Sequence, residues 1–202
     1  MKTLHALGMA MLVAIFAIAG QPVRAQTTAY AAGQGAVNSI EVGVEVRASV
    51  TGRCGFATSG APSGTIDQTD FDVNGFSRDF AIQLNCTGAS RIAVSSLNGG
   101  MASQAAGGSG YPTKAPYRVA LYMVADNGTN ASATCDAATL SAGGSCSFAG
   151  TATAAQGLRL AGASTKVNGS YLRVSAPAYT GSDTLVSGRY ADTLSVTVSV
   201  SP

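Results

Sequence analysis

Ile40-Glu41-Val42-Gly43-Val44-Glu45-Val46-Arg47-Ala48-Ser49-Val50 alternates without a break between aliphatic residues and polar or small ones. Side chains of a strand point to opposite faces with period two. Ile40, Val42, Val44, Val46, Ala48 and Val50 therefore form one apolar edge, opposite Glu41, Gly43, Glu45, Arg47 and Ser49. The segment is built to be buried on one side. It lies just ahead of the first cysteine, Cys54, and near the start of the chain expected after processing. A strand in that position either pairs within its own domain or leaves and pairs with a neighbour's sheet.

Processing is expected because Lys2 precedes an apolar run over residues 4–20, and Val23-Arg24-Ala25 offers a small-x-small cleavage site before Gln26. Residues 1–25 read as a secretory signal peptide, since the apolar run is shorter than the roughly 20 residues a spanning helix needs. Residues 26–36 read as a flexible leader, and residues 37–202 as a single domain. Of twelve Lys and Arg, two leave with the signal together with His5, so ten basic residues face ten acidic ones. A neutral chain of this kind offers no basic surface for a phosphate backbone, and nucleic acid is not an expected partner.

Cys54, Cys86, Cys135 and Cys146 make an even set, which in an exported protein points to disulfides. Three pairings are possible. Cys54 with Cys86 and Cys135 with Cys146 is favoured, because the first two stand at strand ends and the second two close a short Gly/Ser/Ala loop. No Cys-x-x-Cys spacing supports a metal site, and no metal or cofactor is expected.

Beyond residues 40–50, strands are expected near 65–73, 80–86, 91–97, 117–124, 145–151, 171–174 and 190–200. Phe80, Ile82, Leu84 and Cys86 alternate cleanly, as do Val119, Leu121 and Met123. Asn74-Gly75, Asn98-Gly99, Asn127-Gly128 and Asn168-Gly169 fall between these runs, where a chain can reverse cheaply. Residues 99–110 read as a flexible loop, and 131–144 as a second Ala/Ser/Gly/Thr-rich region. Short strands divided by turns indicate a sandwich or barrel. Tyr190, Leu194, Val196, Val198 and Val200 share one parity, so the last strand is expected to be an edge or to have something from elsewhere beside it.

Catalytic arrangements are poorly served. Without a histidine in the processed chain, no Ser-His-Asp or Cys-His set can form. Asp67, Asp70 and Asp72 read as a solvated strand edge rather than a glycosidase or calcium site. Neither an enzyme nor a small-molecule substrate is expected.

The chain resembles the spore coat protein U family, subunits of archaic chaperone-usher pili. The likeness rests on the alternating strand before Cys54, the Cys54 to Cys86 spacing, and the run Ala115-Pro116-Tyr117-Arg118-Val119-Ala120-Leu121-Tyr122. Its most specific element is the ending Gly188-Arg189-Tyr190-Ala191-Asp192-Thr193-Leu194-Ser195-Val196-Thr197-Val198. The resemblance covers about residues 37–202. It implies an all-β fold: an incomplete immunoglobulin-like sandwich that lacks its last strand and is completed by a donor strand from a neighbouring subunit. Residues 36–49 would be that donor, inserting Ile40, Val42, Val44, Val46 and Ala48. The strand over residues 189–200 would form a wall of the acceptor groove with Tyr190, Leu194, Val196, Val198 and Val200. A periplasmic chaperone would hold the groove first, and an outer-membrane usher would exchange it for the next pilin. The product would be a surface fimbria serving adhesion or biofilm formation. Two other readings stay open: a self-contained secreted binding module, and a coat protein of a spore or cell surface.

Overall fold

The computed structural model describes residues 45–104 and 110–201. Ile40, Val42 and Val44 lie outside these. The chain divides into a unit spanning Met1–Arg47 and one spanning Ala48–Pro202. Of the first, only Glu45, Val46 and Arg47 are described; all three are exposed, and the Arg47 guanidinium pairs with Glu45 at 2.6 Å.

The second unit is almost wholly β. In chain order its strands are β1 (Phe76–Ile82), β2 (Asn85–Cys86), β3 (Ser90–Ser96), β4 (Met101–Ser103), β5 (Lys114–Ala115) and β6 (Arg118–Val124). They continue as β7 (Asn130–Asp136), β8 (Leu158–Leu160), β9 (Ser164–Thr165), β10 (Ser170–Ala176), β11 (Tyr190–Ala191) and β12 (Leu194–Val200). Among the described residues helix is confined to one α turn, Phe71–Asn74, and one 3-10 turn, Ala137–Leu140.

The largest sheet has the order β1-β10-β6-β7, and a second has the order β12-β3-β8; smaller ones are β11-β4-β5 and β2-β9, and every pairing is antiparallel. Parity explains the layering. Val119, Leu121 and Met123 of β6 and Leu172 and Val174 of β10 point inward, into one core cluster with Ile92 and Val94 of β3 and with Leu160, Leu140 and Phe148. Two sheets sharing a core in this way are consistent with a β-sandwich. The outward positions of the large sheet are polar: Tyr122 stacks on its register partner Tyr171, and Arg173 spans to Asp79 with two hydrogen bonds of 2.6 and 2.7 Å.

The expected disulfides are those present, Cys54–Cys86 and Cys135–Cys146. Both fit an oxidising, extracytoplasmic compartment. Cys135–Cys146 ties β7 to the loop carrying Phe148, which is fully buried in the core. Replacing both of these cysteines by Ser should cost about 3 kcal/mol, the entropy of freeing a loop of this size in the unfolded chain. Chemical denaturation of the double variant checks it, and an unchanged midpoint would contradict it.

All four Asn-Gly glycines have positive φ, from 62° at Gly75 to 105° at Gly169. At Gly75 a side chain is doubly excluded, since a Cβ would lie 2.5 Å from the Ala176 carbonyl.

Several expected elements differ. Residues 65–73 form no strand; residues 65–69 have no backbone-to-backbone partner among the described residues, and the stretch ends in the Phe71–Asn74 turn, where the Asp72 carbonyl accepts from Tyr179 N–H. Residues 145–151 form no strand either, because Phe148 plugs the core from a turn and meets β3 through Val94 N–H to its carbonyl, with a lone parallel bridge at Ala149. The proposed loop at 99–110 contains β4, and the Ala/Ser/Gly/Thr region opens with β7. The strand expected over 80–86 is β1, begun earlier, and then β2. The strand at 190–200 is two: β11 pairs with β4 and β12 with β3, the chain changing sheets at Asp192-Thr193.

Candidate functional site

Among the described residues β12 has one hydrogen-bonded neighbour, β3, and β1 has one, β10. Between these two edges lies an open cleft of about 960 Å³. Its floor is Leu172 and Val174. Phe76 and Phe80 border it from β1, and Leu194 and Val196 from β12. All four bordering side chains pack against the core yet remain half-buried, so the core is uncovered along this line.

Residues 62–72 form the third border. The chain before them is tied down: Arg53, Gly55, Ala57 and Gly60 exchange backbone hydrogen bonds with Thr87, Asn85 and Gln83. Past Gly60 this stops. No backbone-to-backbone hydrogen bond of residues 61–69 joins them to any other described residue, although Ile66 still packs against the core. Backbone groups without partners beside an apolar opening are what a missing strand leaves behind.

At one end of the cleft, Phe71 meets Tyr190 edge-on with centroids 5.6 Å apart, and Tyr190 donates its hydroxyl proton to the Val186 carbonyl. Beyond the cleft, toward the end of β12, the Cys54 sulfur of the Cys54–Cys86 bridge lies 3.8 Å from the Ser199 carbonyl.

Asp192 holds the corner between β11 and β12. Its Oδ2 accepts from Ser96 Oγ at 2.5 Å, Tyr117 Oη at 2.7 Å and Gly100 N–H at 3.3 Å; its Oδ1 accepts from Asn98 N–H at 3.0 Å and Thr193 N–H at 2.7 Å. Burial by itself pushes this carboxyl up. The hydrogen bonds from Ser96, Tyr117, Asn98 and Thr193 outweigh it and hold Asp192 below the ordinary carboxylate range. Burial first, and the Asp192 carboxylate second, raise the Tyr117 phenol, which stays a proton donor.

Of the residues expected in the groove wall, Tyr190, Leu194 and Val196 line the cleft; Val198 is half-buried farther along β12, and Val200 is 47 % exposed at its end. Of the expected donor residues, Val46 and Ala48 are described: neither is in a strand, and Val46 is 84 % exposed. Sequence reading missed the other borders, Phe76, Phe80 and residues 62–72, and it missed Asp192. An acidic residue inside an otherwise apolar alternating run was the available signal. Among the described residues no group of three His, Cys, Asp or Glu could hold a metal, and Asp67, Asp70 and Asp72 do not form one.

No family model, curated protein or solved structure matches this chain.

Proposed function

We propose that this chain is a structural subunit of a surface fimbria and polymerises by strand donation. The alternating segment over residues 36–49 of one copy fills the cleft beside β12 of the next. The open cleft carries the reading: it is apolar on its floor and on two sides, and among the described residues it runs along an unpaired strand edge and faces a segment, residues 61–69, with no backbone-to-backbone hydrogen bond to the rest. Ile40, Val42, Val44, Val46 and Ala48 have the side-chain spacing to fill it, and the donor's two backbone edges would pair with β12 and with residues 62–69. Burying four large aliphatic side chains contributes roughly 6 to 12 kcal/mol before ordering costs, at about 1.5 to 3 kcal/mol each. That range holds a polymer together without covalent links.

An immunoglobulin-like sandwich short of one strand accounts for the same features. Until a donor arrives, the cleft and the β12 edge are an aggregation hazard. A periplasmic chaperone would cover them, and an outer-membrane usher would pass the subunit to its neighbour. The export signal and the disulfides suit that route, and the resulting fibre would support adhesion or biofilm formation.

The test is to append the sequence of residues 40–49 after Pro202 through a flexible linker. A soluble monomer melting at least ~10 °C higher is expected, since each kcal/mol gained shifts the midpoint of a chain this size by about 2–4 °C. A self-contained binding module would gain nothing, and equal melting of the two proteins would rule out strand completion.

A further inference from the structure

The four Asn-Gly pairs share one chemical hazard. The glycine amide nitrogen, unhindered by a side chain, can attack the Cγ of the asparagine before it, a reaction that makes asparagine thermolabile. The fold separates the four pairs by what each glycine N–H is doing. Gly75 donates to the Phe71 carbonyl at 2.8 Å, Gly99 to Ser96 Oγ at 2.7 Å and Gly128 to the Ala125 carbonyl at 2.9 Å. Two of the asparagine side chains are tied as well. Asn98 Nδ2 donates to the Ala191 carbonyl at 3.2 Å, and Asn127 Oδ1 accepts from Thr129 N–H at 3.1 Å and from Thr129 Oγ1 at 2.7 Å.

Asn168-Gly169 is different. Both residues are exposed in the reversal between β9 and β10, and among the described residues the Gly169 N–H has no acceptor. The amides of Val167 and Asn168 have none either; the last one bound before β10 is Lys166 N–H, which donates to the Leu84 carbonyl at 2.7 Å. Turning the Gly169 amide toward Cγ therefore breaks no hydrogen bond that these three amides donate. Gln83 Nε2 donates to Asn168 Oδ1 at 2.9 Å and to the Lys166 carbonyl at 3.0 Å. That places a donor on the oxygen that gains charge when Cγ is attacked, and among the described residues Nδ2, the leaving group, is unbound.

We propose that Asn168 is a modification site, where the folded chain deamidates spontaneously while Asn74, Asn98 and Asn127 resist. Gly169 N gives its proton to solvent base and bonds to Asn168 Cγ. The Cγ–Nδ2 bond then breaks, Nδ2 leaves as ammonia, and a succinimide closes. Water opens either ring carbonyl, leaving aspartate or isoaspartate at position 168. Both products add one negative charge. The isoaspartate also lengthens the main chain by one atom just ahead of β10, the strand that floors the cleft with Leu172 and Val174. The inference goes beyond the fimbrial reading and does not depend on it.

The experiment keeps the processed chain folded at mildly alkaline pH for several weeks, beside a sample unfolded in guanidinium, and follows both by peptide mass after trypsin. Cleavage after Lys166 and Arg173 isolates Asn168 in the peptide of residues 167–173, which holds no other asparagine. In the folded sample position 168 should convert roughly tenfold faster than positions 74, 98 and 127, the factor expected when a competing pair must first break a hydrogen bond at its attacking nitrogen. In the unfolded sample the four rates should converge. Enzymatic methylation of isoaspartyl groups should label the same peptide. An Asn168 that stays an amide in the folded chain while converting in the unfolded one would overturn the proposal, and so would equal rates at all four pairs, or a faster rate at another, in the folded chain.

Discussion

Val44→Asp, and equally Val42→Asp, should give a subunit that folds and melts like the parent but forms no fibre. Residues 45–50 are exposed and lie outside the core, and the donor-strand reading gives Val42 and Val44 their contacts in the neighbouring subunit rather than in their own. The effect falls on assembly. A carboxylate carried into an apolar cleft floored by Leu172 and Val174 would lose its water without gaining a partner, a cost of several kcal/mol that also forces its neighbours out of register. Set against about 6 to 12 kcal/mol of gross apolar burial, less the cost of ordering both partners, such a loss takes away most of the net affinity. Electron microscopy of cells producing the variant, with melting of the purified subunit as control, reads both halves. Full-length fibres built from either variant would mean that residues 40–48 are not the donor.

The same balance explains which parts of the fold the sequence made legible. β3, β6 and β10 alternate large aliphatic side chains with polar ones and are covered by the opposite sheet, so period two and burial agree. β7 also alternates, but its inward residues are Ala131, Ala133 and Cys135, too small to stand out from a Gly/Ser/Thr background. Residues 65–73 were expected as a strand; residues 65–69 have no backbone-to-backbone partner among the described residues, and the donor-strand reading supplies the one that would complete them. The division of the last strand was hidden by arithmetic, because Asp192-Thr193 takes up two residues and leaves Tyr190 and Leu194 on one parity while the chain moves from β4 to β3. Cleft borders contributed by distant segments, Phe76, Phe80 and residues 62–72, leave no local pattern. They meet only through the topology.

Asp192 supplies the largest predicted effect on the subunit itself. Asp192→Ala should destabilise the domain by about 3–4 kcal/mol, because Tyr117 Oη, Ser96 Oγ and the amides of Asn98 and Gly100 lose a charged acceptor at a corner where water reaches only part of the site. Asp192→Asn keeps the shape and accepts some of these bonds, so it should cost roughly half as much. The two variants also differ from the parent in pH dependence, and the sign follows from the direction of the shift. A carboxyl whose folded pKa is depressed contributes fully above its unfolded value near 3.8, and that contribution is lost as pH falls through the lower folded value. Parent stability should therefore drop steeply below about pH 4, and Asp192→Asn should flatten that limb. Asp79, depressed chiefly by its hydrogen bond from Arg173, adds a smaller term there because that pair is largely exposed and screened. Tyr117 works in the opposite sense: raised above its usual 10, it stabilises fully below pH 10 and loses its contribution as pH climbs toward the folded value. Urea melts at pH 3, 5 and 7 on the three proteins decide the point, and an acid limb equally steep in Asp192→Asn and the parent would show that the corner is held by packing rather than by this carboxylate.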